Sequence, residues 1–233
     1  MKTDITALGP WPDWDDIDHV LLDMDGTLLN LGFDNEFFSE FLPAQYALAN
    51  NITKDVAQED LFARYKAVED TLQWFDIEYW GRELGLDVVR LTEQQSHKVS
   101  LHPDANAFLK HVKTLGKPAS LITNAHHTTL KIKIKRTGID QYLEKMLCSS
   151  EVGVPKHHLK FWNYAQKKIG YDPARTLFID DSEKVLLAAR KHGIRYLLHR
   201  SKPSMTDPPR PSDKFHSIED FHPLMHPRQY PCL

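Results

Sequence analysis

The chain of 233 residues contains only two cysteines, Cys148 and Cys232, which lie far apart and in no metal-ligand spacing. Disulfide-stapled domains and cysteine-based zinc sites need more cysteines, so their scarcity predicts a reduced, cytoplasmic protein. The chain also lacks an excess of either charge, because 29 Lys and Arg residues face 32 Asp and Glu residues, for a formal net charge of -3. So small a charge predicts no binding of nucleic acid or of an anionic membrane.

Long hydrophobic runs are also missing. The N-terminal stretch MKTDITALGPWPDWDD is polar and acidic and has no apolar segment of the kind that signal peptides carry. No apolar run approaches the roughly 20 residues that a membrane-spanning helix needs. With 41% hydrophobic and 26% charged residues, the composition is that of a globular protein. The length allows one large domain, or a core with a smaller inserted domain.

Histidine is frequent, with 13 residues, and two pairs are adjacent in sequence, at His126-His127 and His157-His158. Neighbouring side chains point in different directions on a helix or strand, so an adjacent pair alone predicts a poor chelate. No HExxH motif or Cys/His cluster accompanies the pairs. We therefore expect no transition-metal site at these histidines.

Short continuous apolar runs recur along the chain and predict strands that are covered on both faces. They lie at 19–22, 119–122, 145–148, 176–179 and 195–198. Stretches of helical character separate them, and each ends at a glycine, the residue preferred at helix C-termini. These predicted helices span about 104–115, 127–137, 159–169 and 183–192. Because strand and helix alternate, we predict an α/β fold, a Rossmann-like open parallel sheet with helices on both faces.

The segment LKIKIK at 130–135 alternates like a half-exposed strand. We nevertheless predict a helix there, because Leu130 and Ile134 also fit a helical stripe and Gly138 closes the segment.

Two regions carry no strand pattern. From about residue 33 to 102, apolar residues recur at intervals of three and four, as in Leu61 and Tyr65, which predicts a helical insertion between the first two strands. From Ser201 onward the chain is rich in proline, which predicts a loop followed by a short element at 217–225.

Chemically active side chains follow four of the predicted strands at the point where each strand ends. They are Asp23 and Asp25, then Thr123 and Asn124, then Lys156, and finally Asp180 and Asp181. In a parallel sheet these loops open on one edge, where ligands bind. Four carboxylates gathered there repel one another unless a cation neutralises them, and hard oxygen ligands suit Mg²⁺. The pattern predicts a magnesium site at this edge of the sheet.

This arrangement resembles the haloacid dehalogenase superfamily, in particular its phosphatase branch, over nearly all of the chain to about residue 200. The four motifs of the superfamily correspond, in chain order, to DMDGT at 23–27, LITNA at 121–125, Lys156, and FIDDS at 178–182. One departure is that Pro155 precedes the lysine and His157 follows it, which leaves the path of that loop open. The resemblance implies strand order 5-4-1-2-3. It further implies two parts of the chain, a discontinuous core at 1–32 and 103–233 and an α-helical cap at 33–102.

The resemblance also implies a mechanism. Asp23 attacks phosphorus to form an aspartyl-phosphate, and Asp25 protonates the leaving alcohol and then activates the hydrolytic water. The implied ligands of Mg²⁺ are the carboxylate of Asp23, the main-chain carbonyl of Asp25, and the carboxylates of Asp181 and Asp180. The residues implied to surround the phosphoryl group are Gly26, Thr27, Thr123, Asn124 and Lys156.

Within the superfamily, the chain is similar to the bacterial GMP/IMP nucleotidases, most informatively in the stretch TLQWFDIEYWGRELGLD at 71–87. The similarity implies a purine nucleotide as the small-molecule phosphomonoester substrate. Aromatic faces and a guanidinium can stack on a purine, so the candidate substrate residues are Arg64, Trp74 and Tyr79. A bundle core is the competing interpretation of most of these aromatic residues.

Two other functions stay open at this point. A sugar-phosphate phosphatase or phosphomutase would use the same core, and a phosphate-binding regulatory module would need only the fold. The module is disfavoured because every acidic motif residue is present. A dehalogenase is disfavoured because Asp25 has no task in an attack on carbon, whereas a leaving alkoxide needs a proton.

Overall fold

The computed structural model describes residues 8–226, and a six-stranded sheet lies at its centre. The strands are β1 (His19–Leu22), β2 (Ala119–Thr123), β3 (Lys145–Cys148), β4 (Thr176–Asp180), β5 (Tyr196–Arg200) and β6 (His216–Ile218). Their order is β3-β2-β1-β4-β5-β6, and all neighbours pair in parallel. The predicted α/β fold is confirmed, with the first five strands in the predicted order.

The central strands are buried on both faces, which explains their unbroken apolar sequence. In β1, Val20 and Leu22 pack into one hydrophobic cluster, while Leu21 packs into a second cluster together with Phe178 of β4. Because side chains alternate between faces along a strand, both sides of the sheet need apolar residues and helices to cover them.

Helices cover the sheet and fill the region between β1 and β2. They are α1 (Gly32–Glu36), α2 (Leu42–Asn50), α3 (Lys54–Ala67), α4 (Ile77–Leu84), α5 (Val88–Gln95), α6 (Ala105–Thr114), α7 (His127–Thr137), α8 (Ser149–Val152), α9 (Leu159–Ile169), α10 (Glu183–His192) and α11 (His222–Met225). A π-helical segment, Phe37–Phe41, joins α1 to α2. Within residues 8–226, no helix combines the length and the apolar character that crossing a bilayer requires.

The alternating segment at 130–135 is helical, as predicted, and belongs to α7. Gly138 ends this helix in the left-handed conformation, with φ +64°, and its N–H donates to the carbonyl of Ile134 at 2.8 Å. One feature departs from the expected amphipathic pattern. Lys133 is only 1% exposed and shares the buried face of the helix with Leu130.

The sixth strand corrects the prediction for the proline-rich C-terminal region, where we expected a loop and one short element. β6 pairs with β5 and forms the edge of the sheet, and the N–H of Ser201 donates to the carbonyl of Ile218 at 2.9 Å. The short helix α11 follows it. A strand of three residues is too short to show an apolar pattern, because its stability comes from pairing with a neighbour that is distant in sequence.

The helical region between β1 and β2 has an aromatic centre. Tyr65 of α3 packs edge-on against Trp80 of α4, with ring centroids 4.8 Å apart, and against Trp74 at 6.0 Å. Trp80 is fully buried, whereas Trp74 is half-buried. The helical insertion agrees with the sequence pattern, and the division into a core and a cap at residues 33 and 102 stays a prediction.

Candidate active site

The carboxyl ends of three strands bring the predicted motif residues to one edge of the sheet. Asp23 directly follows β1, Thr123 ends β2 and Asp180 ends β4. A cavity of about 400 Å³ opens there. Its lining includes seven of the predicted motif residues, namely Asp23, Asp25, Thr123, Asn124, Lys156, Asp180 and Asp181.

Lys156 is the positive centre of this cavity and is 2% exposed. Its ammonium donates hydrogen bonds to Asp23, to Asp180 Oδ2 at 2.7 Å and to the carbonyl of Ile122 at 3.2 Å. Two hydrogen bonds of the Lys156 backbone hold its loop in place. The Lys156 N–H donates to Asn124 Oδ1 at 2.8 Å, and its carbonyl accepts from Trp162 Nε1 at 2.6 Å. These bonds define the path of the loop that the sequence left open.

Three carboxylates converge beside Lys156, since oxygens of Asp23, Asp180 and Asp181 all lie within 4.8 Å of one another. Burial raises the pKa of Asp23 to about 7, because desolvation outweighs the favourable charge of Lys156. Burial and the two neighbouring carboxylates raise the pKa of Asp181 well above its usual range. One ammonium therefore does not balance the three carboxylates.

A hard divalent cation fits this cluster. Three carboxylate oxygens at one point are the donor set that Mg²⁺ prefers, and two further positive charges would offset the repulsion among them. Gly26 makes room for one donor, because a Cβ at this position would lie 2.8 Å from Asp181 Cγ, and the φ of Gly26 is +87°. The side chain of Asp25 lies outside the carboxylate cluster, which leaves its main-chain carbonyl as the predicted ligand.

Three of the five predicted phosphate-binding residues line the cavity, and two do not. Thr123 and Asn124 line the cavity, with the Thr123 hydroxyl accepting from the N–H of Ala125 at 3.0 Å. Lys156 lines it as well. Thr27 is fully buried and is not part of the cavity lining, and its hydroxyl finds no hydrogen-bond partner among residues 8–226. Gly26 contributes the space for Asp181 described above.

Asp25 has a partner that the sequence analysis missed. The ammonium of Lys133 donates to Asp25 Oδ1 at 2.7 Å and to Asp34 Oδ1 and Oδ2 at 2.6 and 2.8 Å. Both Asp25 and Asp34 line the cavity. The only sequence signal was the position of Lys133, three residues after the apolar Leu130 on a helix, where a lysine has no reason to be unless it is paired.

The helical region between β1 and β2 forms an aromatic wall of the cavity. Its apolar lining residues are Leu31, Phe38, Tyr65, Trp74, Phe75, Ile77 and Trp80. Of the three candidate substrate residues, only Trp74 lies on this wall. Arg64 instead donates to Asp60 Oδ1 at 3.1 Å and to the Tyr46 hydroxyl at 3.2 Å. Tyr79 packs on Trp80, with ring centroids 5.1 Å apart, and does not line the cavity.

The adjacent histidines at 126 and 127 depart from the expectation that neighbouring side chains point in different directions. Their rings lie side by side, with centroids 4.0 Å apart, and both come close to the carboxylate of Glu78. The side chains converge because His126 is extended and precedes the first residue of α7. Glu78 already accepts a hydrogen bond from Thr128. The cluster also sits at the first turns of α4 and α7, where the helix dipoles disfavour a cation.

A family model described as haloacid dehalogenase-like hydrolase matches residues 17–193. The chain belongs to this family. The matched span contains every carboxylate of the cavity, the buried Lys156 of its lining, and the buried Lys133 that bonds to Asp25 and Asp34.

Individual relatives of this haloacid dehalogenase-like hydrolase have named activities. The GMP/IMP nucleotidase YrfG of Escherichia coli is 38% identical over 212 residues, which cover 91% of the chain and 96% of the nucleotidase. The bifunctional riboflavin kinase/FMN phosphatase of Arabidopsis thaliana is 27% identical over 192 residues, 80% of the chain and 49% of that protein. A HAD phosphatase from Thermococcus onnurineus shares the fold, with a TM-score of 0.77 at 22% identity, over 89% of this chain and 96% of that one.

These similarities confirm the predicted membership of the superfamily, the similarity to the bacterial GMP/IMP nucleotidases, and the prediction that the chain is a hydrolytic enzyme. The bound metal, the substrate, the cytoplasmic location and the roles of individual side chains stay predictions.

Proposed function

We propose that the chain hydrolyses purine 5'-nucleotides, GMP or IMP, through an aspartyl-phosphate formed on Asp23. The observation that carries this proposal is the convergence of Asp23, Lys156 and Asp180 at the strand ends, below a wall of aromatic side chains. The E. coli relative named as a GMP/IMP nucleotidase supports the choice of substrate, because it matches the chain over nearly its whole length.

In the first half of the reaction, a carboxylate oxygen of Asp23 attacks phosphorus. The bond from phosphorus to the 5' oxygen breaks, and Asp25 donates a proton to that oxygen, so that a neutral nucleoside leaves. In the second half, Asp25 takes a proton from water, whose oxygen attacks phosphorus. Inorganic phosphate forms and the Asp23 carboxylate is restored.

The other charged and polar groups bind the phosphoryl oxygens. The Thr123 hydroxyl and the Asn124 amide line the cavity and can donate to them, whereas the Lys156 ammonium attracts them by its charge and donates once it exchanges one of its three present hydrogen bonds. The carboxylates of Asp23, Asp180 and Asp181 and the carbonyl of Asp25 would hold Mg²⁺, which when bound reduces the repulsion between the nucleophile and the phosphate dianion.

The leaving group would lie against the aromatic wall. Trp74 and Phe75 follow one another in a short 3-10 turn, and both reach the cavity. A purine can stack on such rings, and the polar Asn35 on the same cavity lining can bond to its edge. A hexose phosphate is smaller and has no aromatic face, so it would cover less of this wall than a purine nucleotide does.

A substrate panel tests the proposal. Phosphate release is measured with 5'-nucleotides of all bases, FMN and sugar phosphates, each with Mg²⁺ and with EDTA. We expect the highest kcat/KM for GMP or IMP, and no release in EDTA. A preference for sugar phosphates would instead support the phosphatase or phosphomutase alternative. Turnover in EDTA equal to that with Mg²⁺ would contradict the metal assignment.

A further inference from the structure

The buried Lys133 and the half-buried Asp34 connect the cavity with the first helix that follows β1. Lys133 lies on α7, after β2, and Asp34 lies on α1. The ammonium of Lys133 has three acceptor oxygens within 2.8 Å, two from Asp34 and one from Asp25. It also lies 5.6 Å from the centre of the Phe33 ring.

The surroundings of Lys133 restrict its side chain to few conformations. A free lysine side chain samples many rotamers, but that of Lys133 is 1% exposed and so has little room to move. Both carboxylate oxygens of Asp34 accept from the Lys133 ammonium, and these two bonds fix the position of the ammonium and the direction of its N–H groups. The third hydrogen bond is then aimed at one place, where it meets Asp25 Oδ1.

The side chain of Asp25, in contrast, can rotate in the cavity, and proton transfer requires that it be held in one orientation. Its side chain is 20% exposed to the cavity, and Lys133 is its salt-bridge partner. A general acid has to be within hydrogen-bond reach of the leaving oxygen, so a carboxyl group that rotates away does not transfer its proton. Removal of the ammonium would also leave Asp25 and Asp34 as two acids facing each other without a counter-charge.

We propose that Lys133, anchored by Asp34, is a positioning residue that holds the carboxyl group of Asp25 where it protonates the leaving oxygen. This inference rests on the proposed function, because it takes Asp25 as the acid of a phosphomonoesterase. It adds a role for α1: residues at the start of the helical region set the geometry of the proton donor as well as lining the cavity.

The test compares leaving groups in the variant Lys133→Met, which keeps the length of the side chain and removes its charge. The 5' alkoxide of GMP needs a proton, whereas p-nitrophenolate leaves without one. In single-turnover experiments, which isolate the first half of the reaction, we expect the rate of guanosine release from GMP to fall about 100-fold and the rate of p-nitrophenolate release to fall less than about threefold. Lys131→Met, on the exposed face of the same helix, should match the wild type on both substrates.

The variant Asp25→Asn calibrates the comparison. In leaving-group release it should show the same selective loss, although its steady-state turnover falls on both substrates because dephosphorylation needs the Asp25 base. The double variant Lys133→Met/Asp25→Asn should release guanosine no more slowly than Asp25→Asn alone, because residues that act as a unit are not additive. Equal losses of the leaving-group release rate on the two substrates, or a further loss in the double variant, would overturn the inference and leave Lys133 with a purely structural role.

Two further experiments apply if Lys133→Met does not fold or if GMP is not the substrate. If Lys133→Met does not fold, Asp34→Asn takes its place, since its amide oxygen still accepts from Lys133; the expected selective loss is then about tenfold. If the wild type hydrolyses another alkyl phosphate but not GMP, the nucleotide proposal fails and that ester serves in the comparison. If the wild type hydrolyses only aryl phosphates, no alkoxide is being protonated and the inference on Lys133 falls.

Discussion

At the scale of single residues, the two aspartates of the first motif differ in their partners although they are two positions apart. Asp23 is bonded to Lys156 and shares a metal-type cluster with Asp180 and Asp181. Asp25 is bonded to Lys133 and lies outside that cluster. The two side chains therefore have separate environments, which is what a nucleophile and a proton donor require.

Gly26 gives a prediction at this scale. Gly26→Ala would place a methyl group 2.8 Å from Asp181 Cγ and would force φ +87° on a residue with a side chain. We expect stability to fall by about 1–3 kcal/mol and the Mg²⁺ concentration for half-maximal activity to rise several-fold. Denaturant unfolding and a Mg²⁺ titration of activity measure the two effects.

Gly153→Ala is the matched control, because Gly153 has φ +80° and open space where a Cβ would be. It should lose stability for the same backbone reason and keep its Mg²⁺ dependence unchanged. Equal Mg²⁺ dependence in both variants would contradict the packing of Gly26 against Asp181.

At the scale of elements, the strands and helices of the α/β core followed from apolar runs and from glycines at helix ends. The site followed from topology, because parallel strands bring residues as distant as Asp23 and Asp180 to one edge. β6 could not be predicted, since its three residues form a strand only by pairing with β5. The Lys133 contacts could not be predicted either, because they depend on how α7 packs against α1.

The short 3-10 turn that carries Trp74 gives a prediction at the scale of elements. Trp74→Leu removes an aromatic face from the cavity wall, so we expect KM for GMP to rise about tenfold, the effect of losing one stacked base. KM for p-nitrophenyl phosphate should change much less. Steady-state kinetics with both substrates measure the difference.

Tyr79→Leu is the control, since Tyr79 is an aromatic residue of the same region that does not line the cavity. Its KM for GMP should stay within about twofold of the wild type. If Tyr79→Leu weakened GMP binding as much as Trp74→Leu, the proposed stacking on Trp74 would be wrong.

At the scale of the whole molecule, the acidic cluster links stability to pH and to metal. Burial raises the pKa of Asp23 from 3.8 to about 7, so between these values the folded protein holds a proton that the unfolded chain releases. A raised carboxyl pKa therefore costs stability as pH rises from about 4 to about 7. Buried histidines oppose this trend, since burial lowers the pKa of His19 and of His102 to about 4.

Asp23→Asn separates the contribution of Asp23 from that of the histidines, which both proteins share. In EDTA, the variant should gain stability relative to the wild type as pH rises from 4 to 8, and Mg²⁺ should stabilise the wild type more strongly. Turnover of the variant should be at least about 1,000-fold lower, because the nucleophile is gone. Thermal unfolding at several pH values and phosphate release give these results. A stability difference independent of pH would contradict the raised pKa.

The central claim is that Asp23 carries the phosphoryl group, and a trapping experiment tests it most directly. In Asp25→Asn, p-nitrophenyl phosphate should still phosphorylate Asp23, since its leaving group needs no proton, but the hydrolytic water has lost its base. We predict a burst of p-nitrophenol equal to one per chain, and an acid-quenched peptide phosphorylated at Asp23. A burst with no phosphorylated peptide, or a phosphoryl group on any other residue, would contradict the mechanism.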